Sequence, residues 1–108
     1  MTRAWEHLKY KGISSSTRSA YAKQVNGFFL HIRLNGLQLP RSMERLDELI
    51  SEYINHMWLE GEPQGYAGHL LSGLARFMPV TKGKLHTSWQ YFNNWRTLVH
   101  SVQASPLL

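Results

Sequence analysis

Six histidines, five tyrosines and the hydroxyl run Ser14-Ser15-Ser16-Thr17 are the side chains of this 108-residue chain that invite a chemical reading. His7, His31, His56, His69, His86 and His100 never fall three or four residues apart, and no His-Glu-x-x-His occurs. One helical turn therefore cannot present two of them to a metal ion. Cysteine is absent, which excludes disulfide scaffolds, zinc ribbons, thiol catalysis and iron–sulfur ligation. Gly65, Gly68 and Gly73 follow no strand, and no Gly-x-x-x-x-Gly-Lys is present, so neither a dinucleotide fingerprint nor a phosphate loop is formed. Serine and histidine never meet in a nucleophile-elbow pattern. Glu44, Glu48 and Glu52 repel one another in line at four-residue spacing and read as a solvated outer face. No complete active site is expected, and with it no metal and no cofactor.

The remaining chemistry is that of binding. Twelve Lys and Arg stand against seven Asp and Glu, a formal charge of +5 that favours a polyanionic partner. The charge is segregated along the chain. Residues 1–45 carry a net +6, residues 46–62 a net −5 with no Lys or Arg, and residues 63–108 a net +4 with no acid. Two basic segments around an acidic one suggest a basic and an acidic side, although chance clustering in a short chain gives the same pattern.

These residues need elements to position them. The hydroxyl run caps a helix expected to reach about Asn35, where Gly36 stops it; Tyr21, Val25, Phe28 and Ile32 share its inner face. A second helix is expected over about residues 44–59, with Leu46, Leu49, Ile50, Tyr53 and Met57 inward. Pro63 fits the first turn of a third, about residues 63–78, which buries Tyr66, Leu70, Leu74 and Phe77 before Pro79 ends it. Each of its three glycines costs up to about 1 kcal/mol relative to alanine, so a close approach of backbone or ligand should compensate. After a basic loop over residues 80–86, Thr87 or Ser88 caps a fourth helix to about Val102, with Tyr91, Phe92, Trp95 and Val99 on its apolar side. Residues 2–10 suit a short helix bearing Trp5 and Leu8. The expected class is an all-α, compact bundle of four to five helices. Residues 1–13 form an extension or short helix, residues 14–102 the helical domain and residues 103–108 the start of a linker. No apolar run approaches the ~20 residues that span a bilayer, and no signal-peptide pattern opens the chain. A soluble, intracellular protein is expected.

Four groups of residues could meet a nucleic acid. The outer face of the fourth helix carries Gln90, Asn93, Asn94, Thr97 and Ser101 with Arg96 at its edge. Amides pair bidentately with adenine in the major groove and threonine meets the thymine methyl; plain solvent contact explains the same face, and both readings stand. Gly65, His69, Ser72 and Arg76 form a stripe on the third helix. Its glycines admit a phosphate backbone or, alternatively, tight helix packing. Ser16, Thr17 and Arg18, with Lys9 and Lys11, offer hydroxyls, free N–H groups and cations to phosphate, while capping alone accounts for the hydroxyls. Lys82, Lys84 and His86 either grip phosphate or solubilise their loop.

The order of these features resembles the core-binding domain of the tyrosine recombinases, the phage-integrase family. Ser15-Ser16-Thr17-Arg18-Ser19-Ala20-Tyr21, followed by Phe28, Phe29 and Gly36, resembles its first helix, and Leu49-Ile50-Ser51-Glu52-Tyr53-Ile54 its second. Leu71-Ser72-Gly73-Leu74-Ala75-Arg76-Phe77 resembles its third, and Trp95-Arg96-Thr97-Leu98 followed by Pro106 its exit. The resemblance implies a SAM-like helical domain that holds double-stranded DNA for site-specific recombination and integration. It also implies a separate C-terminal catalytic domain with a Tyr nucleophile and a His-x-x-Arg motif. No His-x-x-Arg occurs here, so a non-enzymatic fragment or stand-alone domain is expected. Gln64-Gly65-Tyr66 also departs from the Ser or Thr the family often places at the start of the third helix. Implied partners are duplex DNA, a catalytic domain or other recombinase protomers, and no membrane. The implied location is DNA-associated, in a bacterial cytoplasm or a eukaryotic nucleus. The rival reading is a helical protein–protein interaction module with no nucleic-acid role.

Overall fold

The computed structural model describes residues 13–103, with side chains through residue 98. The short helix expected over residues 2–10, Lys9, Lys11 and residues 104–108 of the expected linker lie outside the described residues, as do the side chains of Val99 and Ser101; Gln103, expected to open the linker, is still in the last helix. Four α-helices make up the described chain: α1 (Ser15–Leu34), α2 (Met43–Leu59), α3 (Gln64–Phe77) and α4 (His86–Gln103), with a 3-10 turn at Pro79–Thr81 before the last. The class is all-α.

Local chemistry sets most of the boundaries. Ser14 Oγ accepts the Thr17 N–H at 3.1 Å and Ser42 Oγ accepts the Arg45 N–H at 3.1 Å, satisfying free donors at the starts of α1 and α2. Both helices end alike. The Leu37 N–H reaches back to Ile32 O at 3.0 Å and the Glu62 N–H to Met57 O at 2.9 Å. The chain reverses through Gly36 (φ 66°) and Gly61 (φ 75°), a conformation that penalises any Cβ. Pro63 sits one position before α3, as its N-cap without a side-chain bond, rather than in the first turn.

The start of α4 departs from the expected local cap. Its first turn is capped across the molecule by Asp47 of α2, whose carboxylate accepts the Thr87 N–H at 2.9 Å and the Ser88 N–H at 2.8 Å. Ser88 also donates its hydroxyl to the same carboxylate at 2.6 Å. Thr87 and Ser88 are thus the capped residues, inside the helix. Leu85, buried where a cap residue would stand, has no acceptor to offer.

All four helices feed one core, in which Phe28, Ile50, Leu70, Leu71 and Leu74 are fully buried and Phe92 and Trp95 close the α4 side. Two expected core residues are outside it. Phe77 is 42% exposed because α3 ends there and Met78 packs against the core instead. Tyr91 is 42% exposed because it stands at the edge of the buried line of Ser88, Phe92 and Trp95, about 60° round the helix from Ser88 on the α2 side. Tyr21, Tyr53 and Tyr66 are half-buried.

The glycines of α3 divide by neighbour. A Cβ at Gly73 would meet Val25 Cγ2 at 2.9 Å and the Tyr21 carbonyl oxygen at 3.1 Å, so α1 and α3 approach backbone to backbone there. A Cβ at Gly68 would meet the Phe92 ring at 3.0 Å, whereas Gly65 faces open space.

Candidate nucleic-acid interface

α3 lies between α1 and α4. Gly73 touches α1 and Gly68 touches α4, and five residues of helix place these contacts on flanks about 140° apart. Between the flanks, turned away from Leu70, Leu71 and Leu74, runs the stripe Gly65, His69, Ser72 and Arg76. On the α1 flank the His69 ring lies 5.7 Å from that of Tyr21, and Lys23 Nζ stands 5.9 Å from the Tyr66 ring centroid. On the α4 flank the Arg96 guanidinium stands 5.8 Å from the Phe92 ring centroid. Arg76 on the stripe and Arg96 beside it are thus its cations, while Lys23 lies over Tyr66 in a groove shared with Glu60 and Glu62.

The stripe itself carries no acid; Glu60 and Glu62, in the turn after α2, line the groove that holds Lys23 and Tyr66. α1, α3 and α4 contain no Asp or Glu. The acids of the described residues are confined to α2 and the turn after it, where Glu44, Glu48 and Glu52 are exposed and Asp47 is buried in its capping role. The inner faces of α2 and α3 look into the same core, so their outer faces point away from each other. The acidic row and the α3 stripe lie on opposite sides of the bundle.

The α4 residues divide between two surfaces. Asn93 and Arg96 turn toward α3, with Gln90 and Thr97 outermost, and all four are exposed. The Thr97 hydroxyl donates to the Asn93 carbonyl oxygen at 3.0 Å, leaving its methyl outward. Asn94 is turned the other way, into a groove beside α2 that Tyr91, Trp58 and Leu98 also line, because one residue of helix rotates it about 100° from Asn93. It does not belong to the face that carries Gln90 and Asn93.

The first turn of α1 keeps Ser16 and Thr17 engaged. The Ser14 hydroxyl contacts both Oγ atoms at 3.0 Å, while Arg18 is exposed. Lys82 and Lys84 are exposed on the α3–α4 connection, which is not a free loop, and His86, expected in that loop, is the exposed first residue of α4. Buried Thr81 donates to Met78 O at 2.8 Å and accepts the Lys84 N–H on its carbonyl at 3.0 Å, holding both lysines on a fixed turn.

Three features escaped the sequence reading. Trp89, 5.8 Å from Phe92 in an edge-on pair, is exposed on the α3 side of α4. His31 and His56, far apart in sequence, have ring centroids 5.8 Å apart beside the Tyr53 ring. Among the described residues, however, no three His, Asp or Glu are grouped to hold a metal ion. Burial, and secondarily the charge of Glu62, pushes the Tyr53 phenol above its ordinary pKa. The third is Asp47, which the helical period alone marks as unusual: an acid three residues before Ile50, on the α2 flank that becomes buried.

No family model matches the chain, and no curated protein or solved structure matches it. Among the described residues no helix is long and apolar enough to cross a membrane.

Proposed function

We propose that this chain binds double-stranded DNA on its α1–α3–α4 face and performs no chemistry itself, acting as the SAM-like core-binding module of a tyrosine-recombinase-like integrase. The observation that carries the reading is the acid-free composition of α1, α3 and α4 together with Arg76 on the outward stripe of α3 and Arg96 beside it. Such a surface attracts phosphate at every sequence, while the exposed amides of Gln90 and Asn93 have the donors and acceptors that read adenine. The recombinase role rests on the ordered resemblance of the four helices to that family's domain. It implies an intracellular, DNA-associated protein that works with a separate catalytic domain or with other protomers.

The test is a fluorescence-anisotropy titration of labelled duplex at ~50 and ~200 mM salt. Phosphate binding releases counterions and weakens steeply over that range. Absent binding at low salt, or binding indifferent to salt, would overturn the reading. Incubated with supercoiled plasmid, the chain should neither nick it nor appear as a covalent band on denaturing gels.

A further inference from the structure

The groove between α2 and α4 is a second interaction surface, on the flank away from the cations. Its cavity of about 210 Å³ is lined by Ile54, Trp58, Tyr91 and Leu98, with Asn55 and Asn94 at its polar edges. Trp58, Tyr91 and Leu98 are 47%, 42% and 50% exposed. Three large apolar side chains left together in water mark a binding surface more often than scattered exposed residues do.

We infer that this groove docks a cationic amphipathic helix of a protein partner. Two features set that chemistry. First, α2 and α4 pack side by side, so the trough between them accepts a third helix by the packing that holds the first two together. Second, the groove continues into the acidic row. Glu44, Glu48 and Asn55 recur at four- and seven-residue steps on one face of α2, with Glu52 beside them, so the row runs up to the groove's edge. Arg45 pairs with Glu48 at 3.2 Å, but both are exposed and such a pair is easily replaced; Glu44 and Glu52 extend the negative rim. Among the described residues no Lys or Arg lines the groove. An apolar trough with a negative rim selects apolar anchors flanked by Lys or Arg.

The experiment is an NMR titration of the full, isotope-labelled chain with two synthetic amphipathic helical peptides. They share one leucine pattern, with a lysine polar face in one and a glutamate face in the other. The lysine peptide should shift the amides of Asn55, Trp58, Tyr91 and Leu98 and leave those of His69 and Ser72 unmoved. It should bind at least ten times more tightly than the glutamate peptide. Trp58→Ala and Leu98→Ser, both at exposed positions, should each weaken it several-fold, and Glu52→Lys should do so without touching the apolar contacts. Equal binding of both peptides, shifts centred on α3, or no response to these variants would overturn the inference. Concentration-dependent self-association that Trp58→Ala abolishes would also overturn it, by putting a second copy in the groove. DNA binding of Trp58→Ala should equal that of the parent, so this inference and the DNA reading fail separately.

Discussion

Asp47 illustrates how much a single side chain can hold at the residue scale. The residue is 8% exposed, and its carboxylate sits at the positive end of α4 and accepts two main-chain N–H groups and one hydroxyl. Asp47→Ala leaves the buried Ser88 N–H and the part-buried Thr87 N–H without an acceptor, while the Ser88 hydroxyl keeps the main-chain oxygen of residue 47 at 3.0 Å. The expected loss is about 1–3 kcal/mol, read from thermal denaturation followed by circular dichroism. Asp47→Asn keeps one acceptor oxygen and should cost less. An alanine variant as stable as the parent would mean that water caps α4 equally well. Tyr53 gives a pH prediction. Its pKa is raised by burial and by Glu62, so the folded state holds the phenol proton more tightly than the unfolded chain does. The resulting stability is fully present below the unfolded value of ~10 and is lost as pH rises through the higher folded value. Phenolate absorbance should show one tyrosine ionising late, and Tyr53→Phe should remove that phase.

At the scale of elements, the glycines of α3 separate packing from access. Gly73→Ala drives a methyl group against Val25 and the Tyr21 main chain, where backbone cannot yield. A loss of ~1–3 kcal/mol is expected, read from the denaturation midpoint. Gly65→Ala meets nothing within 4 Å and should stabilise α3 by up to ~1 kcal/mol, through helix propensity alone. If a phosphate backbone passes over the outward stripe, that more stable variant should also bind duplex more weakly. Stability and affinity moving in opposite directions at one position is an outcome that fold damage does not produce. The reading role of α4 is tested against a selected site and a scrambled one. Asn93→Ala or Gln90→Ala should remove ~1–3 kcal/mol of preference, whereas Arg76→Ala, Lys82→Ala or Lys84→Ala should weaken both duplexes alike and flatten the salt slope. Asn94→Ala, in the groove beside α2, should change neither. Unaltered preference in the Asn93 and Gln90 variants would leave α4 with a purely solvent-facing polar side.

Among the described residues the bundle is two-faced because the acids are gathered on α2 and the turn after it, and the outer surface of α2 is turned away from that of α3. The charge blocks along the chain already carried this asymmetry, since the acidic block covers most of α2 and the turn after it. Folding converts a linear separation into opposite surfaces, one carrying Arg76 and Arg96 and the other Glu44, Glu48 and Glu52. A partner on one face therefore leaves the other free.

What the sequence determined by itself is whatever depends on near neighbours. The extents of α1 and α2 follow from Ser14, Gly36 and the spacing of Val25, Phe28, Leu46 and Ile50, because caps, stops and helical period act within a turn or two. The division of the α4 polar residues is implicit in the 100° step of a helix, but which neighbour stands on each side is not. That Asn93 faces the α3 stripe while Asn94 faces α2 was decided by how three helices pack. The same holds for Phe77 and Tyr91, whose apolar character suited a core that ended one residue away. His31 and His56 meet only because α1 and α2 cross, and Asp47 caps a helix that begins about forty residues later. Such contacts have no local signature, because each is selected by the assembled bundle rather than by the segment that supplies it.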